Sequence, residues 1–327
     1  MNIGIIGSGS WGITIGRLLF FKENIITIWC RRLEKAEQLS RDREDPERLP
    51  GIRIPKGIKF TPDFNDLKNS QYIIFAVPSH TLREVASRLK SHFYPKRIIS
   101  LIKGMEEKTF KTPSQILEEL FPLAKIAVLS GPSIAREVAQ ELPTSVVSAS
   151  KDIFYAQEVQ ELFHTVYFRV YYSQDIIGVE LGAALKNIIA IAAGIIDGLN
   201  LGANAKGALL VRGIKEIMRI GEKLGANPLT FSGLSGTGDL ITTCFSKYSR
   251  NRHVGEELAK GRKIEDILEE MKMVAEGVRT TFIVYELSKK LKVDMPITEF
   301  VYKILKGEIT PRDAIKEILQ RPPKPEF

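Results

Sequence analysis

The chain has 327 residues and carries 47 Lys and Arg against 39 Asp and Glu, a formal net charge of +8. That length is enough for about two domains. With 44% hydrophobic and 26% charged residues, the composition is typical of a globular protein. Only two cysteines and four histidines are present, which excludes a disulfide framework and predicts no metal site.

The chain opens Met-Asn-Ile-Gly-Ile-Ile-Gly, with no basic leader and no cleavage signal, so we expect a cytoplasmic protein. Positive and negative charges are interleaved, as in residues 31–48, which favours solvated helix faces over a nucleic-acid surface. A basic excess also suits an enzyme that collects small anions. We therefore predict a small-molecule substrate and no nucleic-acid partner; the sequence leaves a homodimer open.

Short β-branched runs in the first half predict strands, with helical patterns between some of them. These runs are Asn2–Ile6, Ile25–Trp29, Tyr72–Val77, Ile98–Leu101, Ile126–Leu129, Ser145–Ser148 and Val166–Tyr171. The alternation predicts an α/β protein whose N-terminal domain is a Rossmann-type, doubly wound, mostly parallel sheet covered on both faces.

Beyond Asp175 the strand-like runs stop and helical patterns continue to Leu319. We therefore expect a sheet-containing domain over residues 1–174 and an all-helical domain over residues 175–327. The proline-rich end, residues 321–327 (RPPKPEF), predicts an irregular tail.

The apolar segment Ile176–Ile196 superficially resembles a membrane span. Glu180 and Lys186 divide it into stretches well below the ~18 uncharged residues that a span needs. Asp175 can cap its start. We predict no membrane span here, but a helix buried at the centre of the second domain.

The segment Gly7-Ser8-Gly9-Ser10-Trp11-Gly12 follows the first predicted strand and opens a helix, which is the context that a dinucleotide-binding fingerprint requires. Gly7 would make the tight turn and Gly9 would let the backbone approach a pyrophosphate. Gly12 would let helix and strand pack closely. The alternative is a glycine-rich turn without a ligand.

The second predicted strand ends at Cys30-Arg31-Arg32, with no carboxylate where NAD-specific sites usually place one. Two guanidinium groups can pair with a 2′-phosphate, so we expect NADP(H) to be preferred and NAD(H) to be usable. The alternative is that both arginines only begin a charged surface helix. We expect Cys30 to be a small, half-buried residue.

Two further segments follow predicted strands. Lys103 comes just after one of them, and Ser130-Gly131-Pro132-Ser133 joins another to a helix. Ligands of open parallel sheets lie beyond the carboxyl ends of the strands, so both segments can reach an anion. A solvated loop lysine and a simple capped turn are the alternatives.

Lys186 lies inside the apolar helix, on one face with Gly182, Ala183 and Ala190. Small residues leave room for a ligand, and desolvation lowers the pKa of a lysine until it can act as an acid or base. The alternative is a lysine that extends along the helix edge to solvent.

In the second half, Asp239 ends the run GLSGTGD, and Ser249-Arg250-Asn251 precedes the helical pattern Gly255–Ala259. A hydroxyl, a guanidinium and an amide at a helix start can bind a phosphate. Asp239 by itself could be only a helix cap.

Taken together, these residues resemble the cytoplasmic, bacterial-type NAD(P)-dependent glycerol-3-phosphate dehydrogenase family. The resemblance runs nearly end to end, through segments whose order and spacing are specific. They include GSGSWG, LPGI, AVPSH, KGMEE, SGPSIAREVA, DIIGVELGAALKNIIAIAAGIIDGL, GLSGTGDLITTC, SRN and VAEGVRTT.

The resemblance implies hydride transfer between NADP(H) or NAD(H) and the pair dihydroxyacetone phosphate and sn-glycerol 3-phosphate, for phospholipid synthesis. It implies that Lys186 is the general acid/base, with Asp239 and Lys103 orienting it. The implied substrate contacts are Lys103, Gly131, Ser133, Lys186, Asp239, Ser249, Arg250 and Asn251. The implied cofactor contacts are Gly7, Gly9, Ser10, Trp11, Gly12, Arg31, Arg32, Lys103, Ala135, Arg250, Val274 and Glu276.

Three positions depart from the family pattern. Ala183 stands where the family usually has Gly, Ala203 where an acidic residue is common, and Thr237 where Leu is usual. They could change the shape of the pocket, but they remove none of the implied catalytic groups. Two other functions stay open: a dehydrogenase for a sugar acid or keto acid, and a nucleotide-sensing protein without activity.

Overall fold

The computed structural model describes residues 1–271, 274–323 and 325–326. Within them one eight-stranded sheet has the strand order β3-β2-β1-β4-β5-β6-β7-β8. All neighbouring pairs are parallel except β6 and β7, which are antiparallel. The strands are β1 (Asn2–Ile6), β2 (Ile25–Trp29), β3 (Lys59–Thr61), β4 (Tyr72–Phe75), β5 (Arg97–Ser100), β6 (Lys125–Ser130), β7 (Thr144–Ala149) and β8 (Phe168–Ser173).

The expected mostly parallel sheet is confirmed, and each predicted run overlaps a strand whose ends differ from the predicted ends by at most two residues. Strand β3 was missed. It has only three residues, and the sequence Lys-Phe-Thr shows neither a β-branched run nor an alternation long enough to detect.

Helices cover both faces of the sheet. Ile3 and Ile5 of β1 belong to one buried cluster and Ile6 to another, because successive strand residues point to opposite faces. The helices of this half are α1 (Ser10–Phe20), α2 (Leu33–Asp42), α3 (Leu82–Lys90), α4 (Pro113–Leu120), α5 (Ala135–Ala139) and α6 (Ile153–Phe163).

After β8 the described chain is helical, as expected. Its elements are α7 (Ile176–Gly198), α8 (Gly202–Lys223), α9 (Pro228–Ser232), a π-helical turn (Leu234–Gly238), α10 (Asp239–Phe245), α11 (Arg250–Ala259), α12 (Ile264–Glu270), α13 (Glu276–Leu291), α14 (Pro296–Leu305) and α15 (Pro311–Leu319). In the predicted tail, residues 321–323, 325 and 326 form no helix or strand. Lys324 and Phe327 lie outside the described residues.

Helix α7 is the centre of this helical half. Asp175 caps it, as predicted, by accepting a hydrogen bond from Gly178 N at 2.9 Å. By length and composition α7 is the one described helix that could cross a membrane, but 89% of its most apolar window is buried inside the protein. The apolar character of α7 is therefore accounted for by packing in the core.

Candidate active site

The loop between β1 and α1 needs its three glycines for three different reasons. Gly7 has φ +121°, and a Cβ there would lie 2.5 Å from the carbonyl oxygen of Ala76. A Cβ on Gly12 would lie 1.9 Å from the carbonyl oxygen of Gly7, whereas one on Gly9 would meet no atom within 4 Å. Gly9 thus borders open space, whereas Gly7 before it and Gly12 after it are closely packed. This arrangement fits a bound pyrophosphate.

The start of α1 fits the same ligand. Gly9 is the N-cap and supplies no side-chain hydrogen bond, and the first turn holds no acidic residue. The N–H groups at Ser10 and Trp11 therefore have no side-chain cap, and the helix dipole favours an anion there. The indole Nε1 of Trp11 is buried without a hydrogen-bond partner among the described residues.

Arg31 and Arg32 follow the carboxyl end of β2 and are both exposed. Arg32 precedes α2 as its N-cap residue, without a side-chain capping bond. Cys30 differs from its prediction, because it is fully buried rather than half-buried. Its burial raises the pKa of the thiol, which makes Cys30 a packing residue of the sheet.

Lys103 lies between β5 and α4 and reaches three groups. Its Nζ lies 3.0 Å from the carbonyl oxygen of Gly131, 3.2 Å from Ser133 Oγ and 2.9 Å from Asp239 Oδ2. Gly131 has φ +138°, and a Cβ there would lie 2.9 Å from Val146 Cα. Three predicted site residues from two separate segments of the chain therefore meet at Lys103, which is itself a predicted site residue.

Lys186 lies in the middle of α7 and is only 5% exposed. Its Nζ donates to Asp239 Oδ1 at 2.5 Å and to Thr243 Oγ1 at 2.7 Å. Burial lowers the pKa of Lys186 to about 8; the carboxylate of Asp239 opposes this effect and the positive charge of Lys103 adds to it. A lysine with such a pKa can exchange a proton near neutral pH.

A close backbone contact brings Asp239 to Lys186. A Cβ on Gly182 would lie 2.5 Å from the carbonyl oxygen of Ser235, so the π-helical turn rests directly on α7. That turn leads into α10, whose first residue, Asp239, is 1% exposed. Thr243 was not predicted as a site residue, although it lies four residues after Asp239 and thus on the same helix face.

The segment Ser249-Arg250-Asn251 is divided among three contacts. Ser249 Oγ caps α11 by accepting from Arg252 N at 3.2 Å. Arg250 Nη1 donates to the carbonyl oxygen of Val274 at 2.6 Å. Ser249 and Arg250 are therefore held by different partners in this structure.

The third of these residues, Asn251, is buried between helices. Its Nδ2 donates to Asn187 Oδ1 at 2.9 Å, and its Oδ1 accepts from Gly277 N at 2.9 Å. Asn187 neighbours Lys186 on α7, so Asn251 connects the start of α11 to the helix that carries the central lysine. Asn187 was not among the predicted site residues.

Glu276, at the start of α13, links the helical half to the sheet. Its Oε1 accepts from Ser79 N at 2.9 Å and its Oε2 from Ser79 Oγ at 2.6 Å. Gly104, next to Lys103, packs against this pair, since a Cβ there would lie 2.6 Å from Ser79 Oγ. Ser79 was not predicted as a site residue, because no local pattern connects it with residue 276.

The other positions singled out in the sequence make separate contacts. The carbonyl oxygen of Ala135 accepts from Thr14 Oγ1 at 3.1 Å and so joins α5 to α1. Among the departures from the family pattern, Ala183 is buried, Ala203 is exposed, and Thr237 Oγ1 donates to the carbonyl oxygen of Phe231 at 2.9 Å. In the described part of the chain no group of three or more His, Cys, Asp or Glu could hold a metal ion.

A glycine loop on the first strand of a Rossmann sheet, with a buried lysine–carboxylate network at the adjoining helices, defines a two-part dehydrogenase of the dinucleotide-binding class. Sequence models of the NAD-dependent glycerol-3-phosphate dehydrogenase family match residues 2–156 (N-terminus) and 175–316 (C-terminus). The chain belongs to this family.

Individual relatives agree with the family match. A protein of Prosthecochloris aestuarii named glycerol-3-phosphate dehydrogenase (NAD(P)+) is 46% identical, over 100% of both chains. One of Desulfitobacterium hafniense with the same name is 43% identical, over 100% of this chain and 93% of its own. The crystal structure of glycerol-3-phosphate dehydrogenase from Coxiella burnetii superposes with a TM-score of 0.94 at 35% identity, covering 98% of this chain and 99% of that one.

Proposed function

We propose that this chain interconverts dihydroxyacetone phosphate and sn-glycerol 3-phosphate with NADP(H) or NAD(H). The observation that carries the proposal is the network in which Asp239 accepts from both Lys186 and Lys103. A reaction that turns a ketone into an alcohol needs a proton donor and a positive charge beside the oxygen, and this network contains both.

When bound, the nicotinamide supplies the hydride. Lys186 holds a proton on Nζ and gives it to the substrate oxygen as negative charge develops there. Asp239 holds that ammonium in place through Oδ1, and Thr243 Oγ1 takes a second of its hydrogen bonds. In the reverse direction the neutral amine of Lys186 accepts the alcohol proton.

The substrate contacts are proposals that differ in their support. Lys103 is supported best, because its ammonium already joins Gly131, Ser133 and Asp239 at one point. Arg250 is the proposed phosphate contact, since a guanidinium can bind a phosphate with two parallel hydrogen bonds. Ser249 and Asn251 support it by capping and anchoring the start of α11.

The cofactor would lie on the Gly7–Gly12 loop, whose open side is at Gly9. We propose Ser10, Trp11, Ala135, Val274 and Glu276 as further cofactor contacts. Arg31 and Arg32, which are exposed and lie beyond β2, would pair with a 2′-phosphate, so NADPH would be preferred over NADH.

The biological setting follows from the same proposal. An enzyme of this kind supplies glycerol phosphate for phospholipid synthesis, and we propose that it does so in the cytoplasm. We also propose that the chain divides into a cofactor domain over residues 1–174 and a substrate domain over residues 175–327, and that it can form a homodimer.

The experiment that tests the function is NADPH oxidation with dihydroxyacetone phosphate, repeated with NADH and with a panel of keto acids and sugar acids. We expect turnover with dihydroxyacetone phosphate and a higher kcat/KM for NADPH than for NADH. Preferred turnover of an unphosphorylated acid would point to a different dehydrogenase. Nucleotide binding without turnover of any ketone would point to a nucleotide sensor.

A further inference from the structure

At the C-terminal end of α7, Asp197 accepts hydrogen bonds from two cations of two other helices. Lys206 Nζ, on α8, lies 2.7 Å from Asp197 Oδ2 and 3.0 Å from Oδ1. Arg252 Nε, on α11, lies 2.6 Å from Oδ2, and Arg252 Nη2 also pairs with Glu256 at 2.8 Å. These four side chains, called here the Asp197 cluster, balance two positive charges against two negative ones. The proposed reaction uses none of them.

The cluster is largely withdrawn from water. The side chains of Lys206, Asp197 and Arg252 are 8%, 22% and 20% exposed. The ammonium of Lys206 also lies 4.4 Å from the ring centre of Phe245, the last residue of α10. Removing one partner of such a group leaves an uncompensated charge in a poorly solvated place. Asp197 therefore holds α7, α8 and α11 together at one point.

The same end of α7 touches the backbone of α11. A Cβ on Gly194 would lie 1.9 Å from the carbonyl oxygen of Arg252, and one on Gly255 would lie 2.0 Å from that of Ile191. These glycines set the distance between the two helices, and Asn251 ties one side of the first turn of α11 to Asn187. The ion pair between Arg252 and Asp197 fixes a second side chain of that turn and so adds to the definition of its orientation.

Arg250 lies two residues before Arg252 on that turn, about 200° away around the helix axis. The side chain of Arg250 therefore extends from the side of α11 opposite Asp197, and its Nη1 donates to the carbonyl oxygen of Val274. Any rotation of the turn about the helix axis would move both arginines together. The direction of Arg250 is thus coupled to the contact between Arg252 and Asp197.

We propose that Asp197 is a positioning residue for phosphate recognition, which acts through Arg252 to set the direction of Arg250. The inference rests on the proposed function, because it takes Arg250 as the phosphate contact. A residue with this role affects substrates that carry a phosphate and spares those that do not. A residue needed only for folding would affect both kinds of substrate equally.

The test compares Asp197→Asn with the unmodified full-length chain, using dihydroxyacetone phosphate and unphosphorylated dihydroxyacetone. We expect kcat/KM for dihydroxyacetone phosphate to fall by roughly tenfold or more, mainly through KM, because small misplacements of a binding group are costly. The value for dihydroxyacetone should stay within about twofold. Inorganic phosphate, used as an inhibitor competitive with dihydroxyacetone phosphate, should lose affinity by a similar factor.

Asp294→Asn is the matched control, because Asp294 also pairs with two arginines, Arg219 and Arg321, but joins α8 to the C-terminal segment. This variant should leave kcat/KM unchanged for both substrates. If Asp197→Asn does not fold, Arg252→Lys gives the same test, since lysine keeps the charge but loses the guanidinium geometry. An equal fall in kcat/KM for both substrates, or unchanged kinetics with dihydroxyacetone phosphate, would overturn the inference.

Arg250→Ala, measured in parallel, separates this inference from the proposed function. If Arg250→Ala lowers activity with dihydroxyacetone phosphate selectively and Asp197→Asn does not, only the role of Asp197 is wrong. If Arg250→Ala affects the two substrates equally, the phosphate contact is wrong and the inference fails with it.

Discussion

Lys103 and Lys186 come from opposite halves of the sequence and donate to different oxygens of one buried carboxylate. Lys103 Nζ lies 2.9 Å from Asp239 Oδ2, and Lys186 Nζ lies 2.5 Å from Asp239 Oδ1. Two ammonium groups against one carboxylate leave a net positive charge at this point. Such an excess stabilises an oxygen that becomes negative, which is what ketone reduction requires.

The pH dependence of the reaction should follow Lys186. Its pKa of about 8 means that the proton needed for ketone reduction is lost as the pH rises through that value. We therefore expect kcat for dihydroxyacetone phosphate reduction to fall above about pH 8 and the rate of alcohol oxidation to rise there. Profiles of both directions between about pH 6 and pH 10 would check this.

Replacing Lys103 should move that profile. The positive charge of Lys103 lowers the pKa of Lys186. Lys103→Met removes this effect, so Lys186 becomes the one lysine that pairs with Asp239 and its pKa should rise. We expect a lower rate, because Lys103 is itself in the site, and an alkaline limb shifted to higher pH. An alkaline limb that stays in place or moves to lower pH would contradict the electrostatic coupling.

Lys186→Ala should abolish most of the chemistry. We expect kcat to fall by ~10²–10⁴, the usual effect of losing a general acid–base group. Lys103 remains as a partner for Asp239, so the protein should fold. NADPH binding, measured by fluorescence quenching, should change little. Lys186→Arg keeps the charge but donates no proton at useful pH, and it should also be slow.

The combination of results decides the role of Lys186. A folded Lys186→Ala protein that binds NADPH and still reduces dihydroxyacetone phosphate at nearly the original kcat would remove Lys186 from the chemistry. Lys103, which also contacts Asp239, would then be the next proton donor to test.

Arg31 and Arg32 should determine cofactor preference. Replacing both with alanine should raise KM for NADPH and leave KM for NADH nearly unchanged, because only NADPH carries the 2′-phosphate. Arg212→Ala, at an exposed position of α8, is the control for loss of surface charge. Equal losses with the two cofactors would mean that the arginines do not recognise that phosphate.

Arg250 should matter for the substrate phosphate. Arg250→Ala should raise KM for dihydroxyacetone phosphate by roughly one to two orders of magnitude, the range for hydrogen bonds to a charged group. Dihydroxyacetone, which has no phosphate, should be little affected. If dihydroxyacetone already worked as well as the phosphate in the unmodified enzyme, the phosphate contact would be wrong.

Glu216 should make stability depend on pH. It is 1% exposed and accepts from Ile297 N at 2.6 Å and Thr298 N at 3.2 Å. Burial raises the pKa of Glu216 from 4.5 to about 7 in the folded protein. The folded state therefore binds the proton of Glu216 more tightly than the unfolded state does. The stability that this protonation gives the folded protein is present below pH 4.5 and is lost as the pH rises through 7.

The measurement is Tm at about pH 5.5 and pH 7.5. The contribution of Glu216 is at most about 3 kcal/mol, because one pKa unit is worth about 1.4 kcal/mol. Glu216→Gln should reduce the fall in Tm between the two pH values, whereas Glu265→Gln, at an exposed position of α12, should not. The same fall in both variants would show that Glu216 is not the titrating group.

The sequence by itself determined the features that depend on neighbouring residues. The glycine loop was predicted from the spacing of Gly7, Gly9 and Gly12 after the first strand, and the buried helix from the apolar run at Ile176–Ile196. Even Thr243 could have been found, because its distance of four residues from Asp239 places both on one helix face.

Only the tertiary structure decided which polar groups pair across long stretches of chain. Ser79 meets Glu276 across 197 residues, and Lys103 meets Asp239 across 136. Asp197 reaches Arg252 because glycines let α7 and α11 touch. Helix and strand patterns are set by local periodicity, whereas the partner of a polar side chain is chosen by packing, so no spacing in the sequence specifies it.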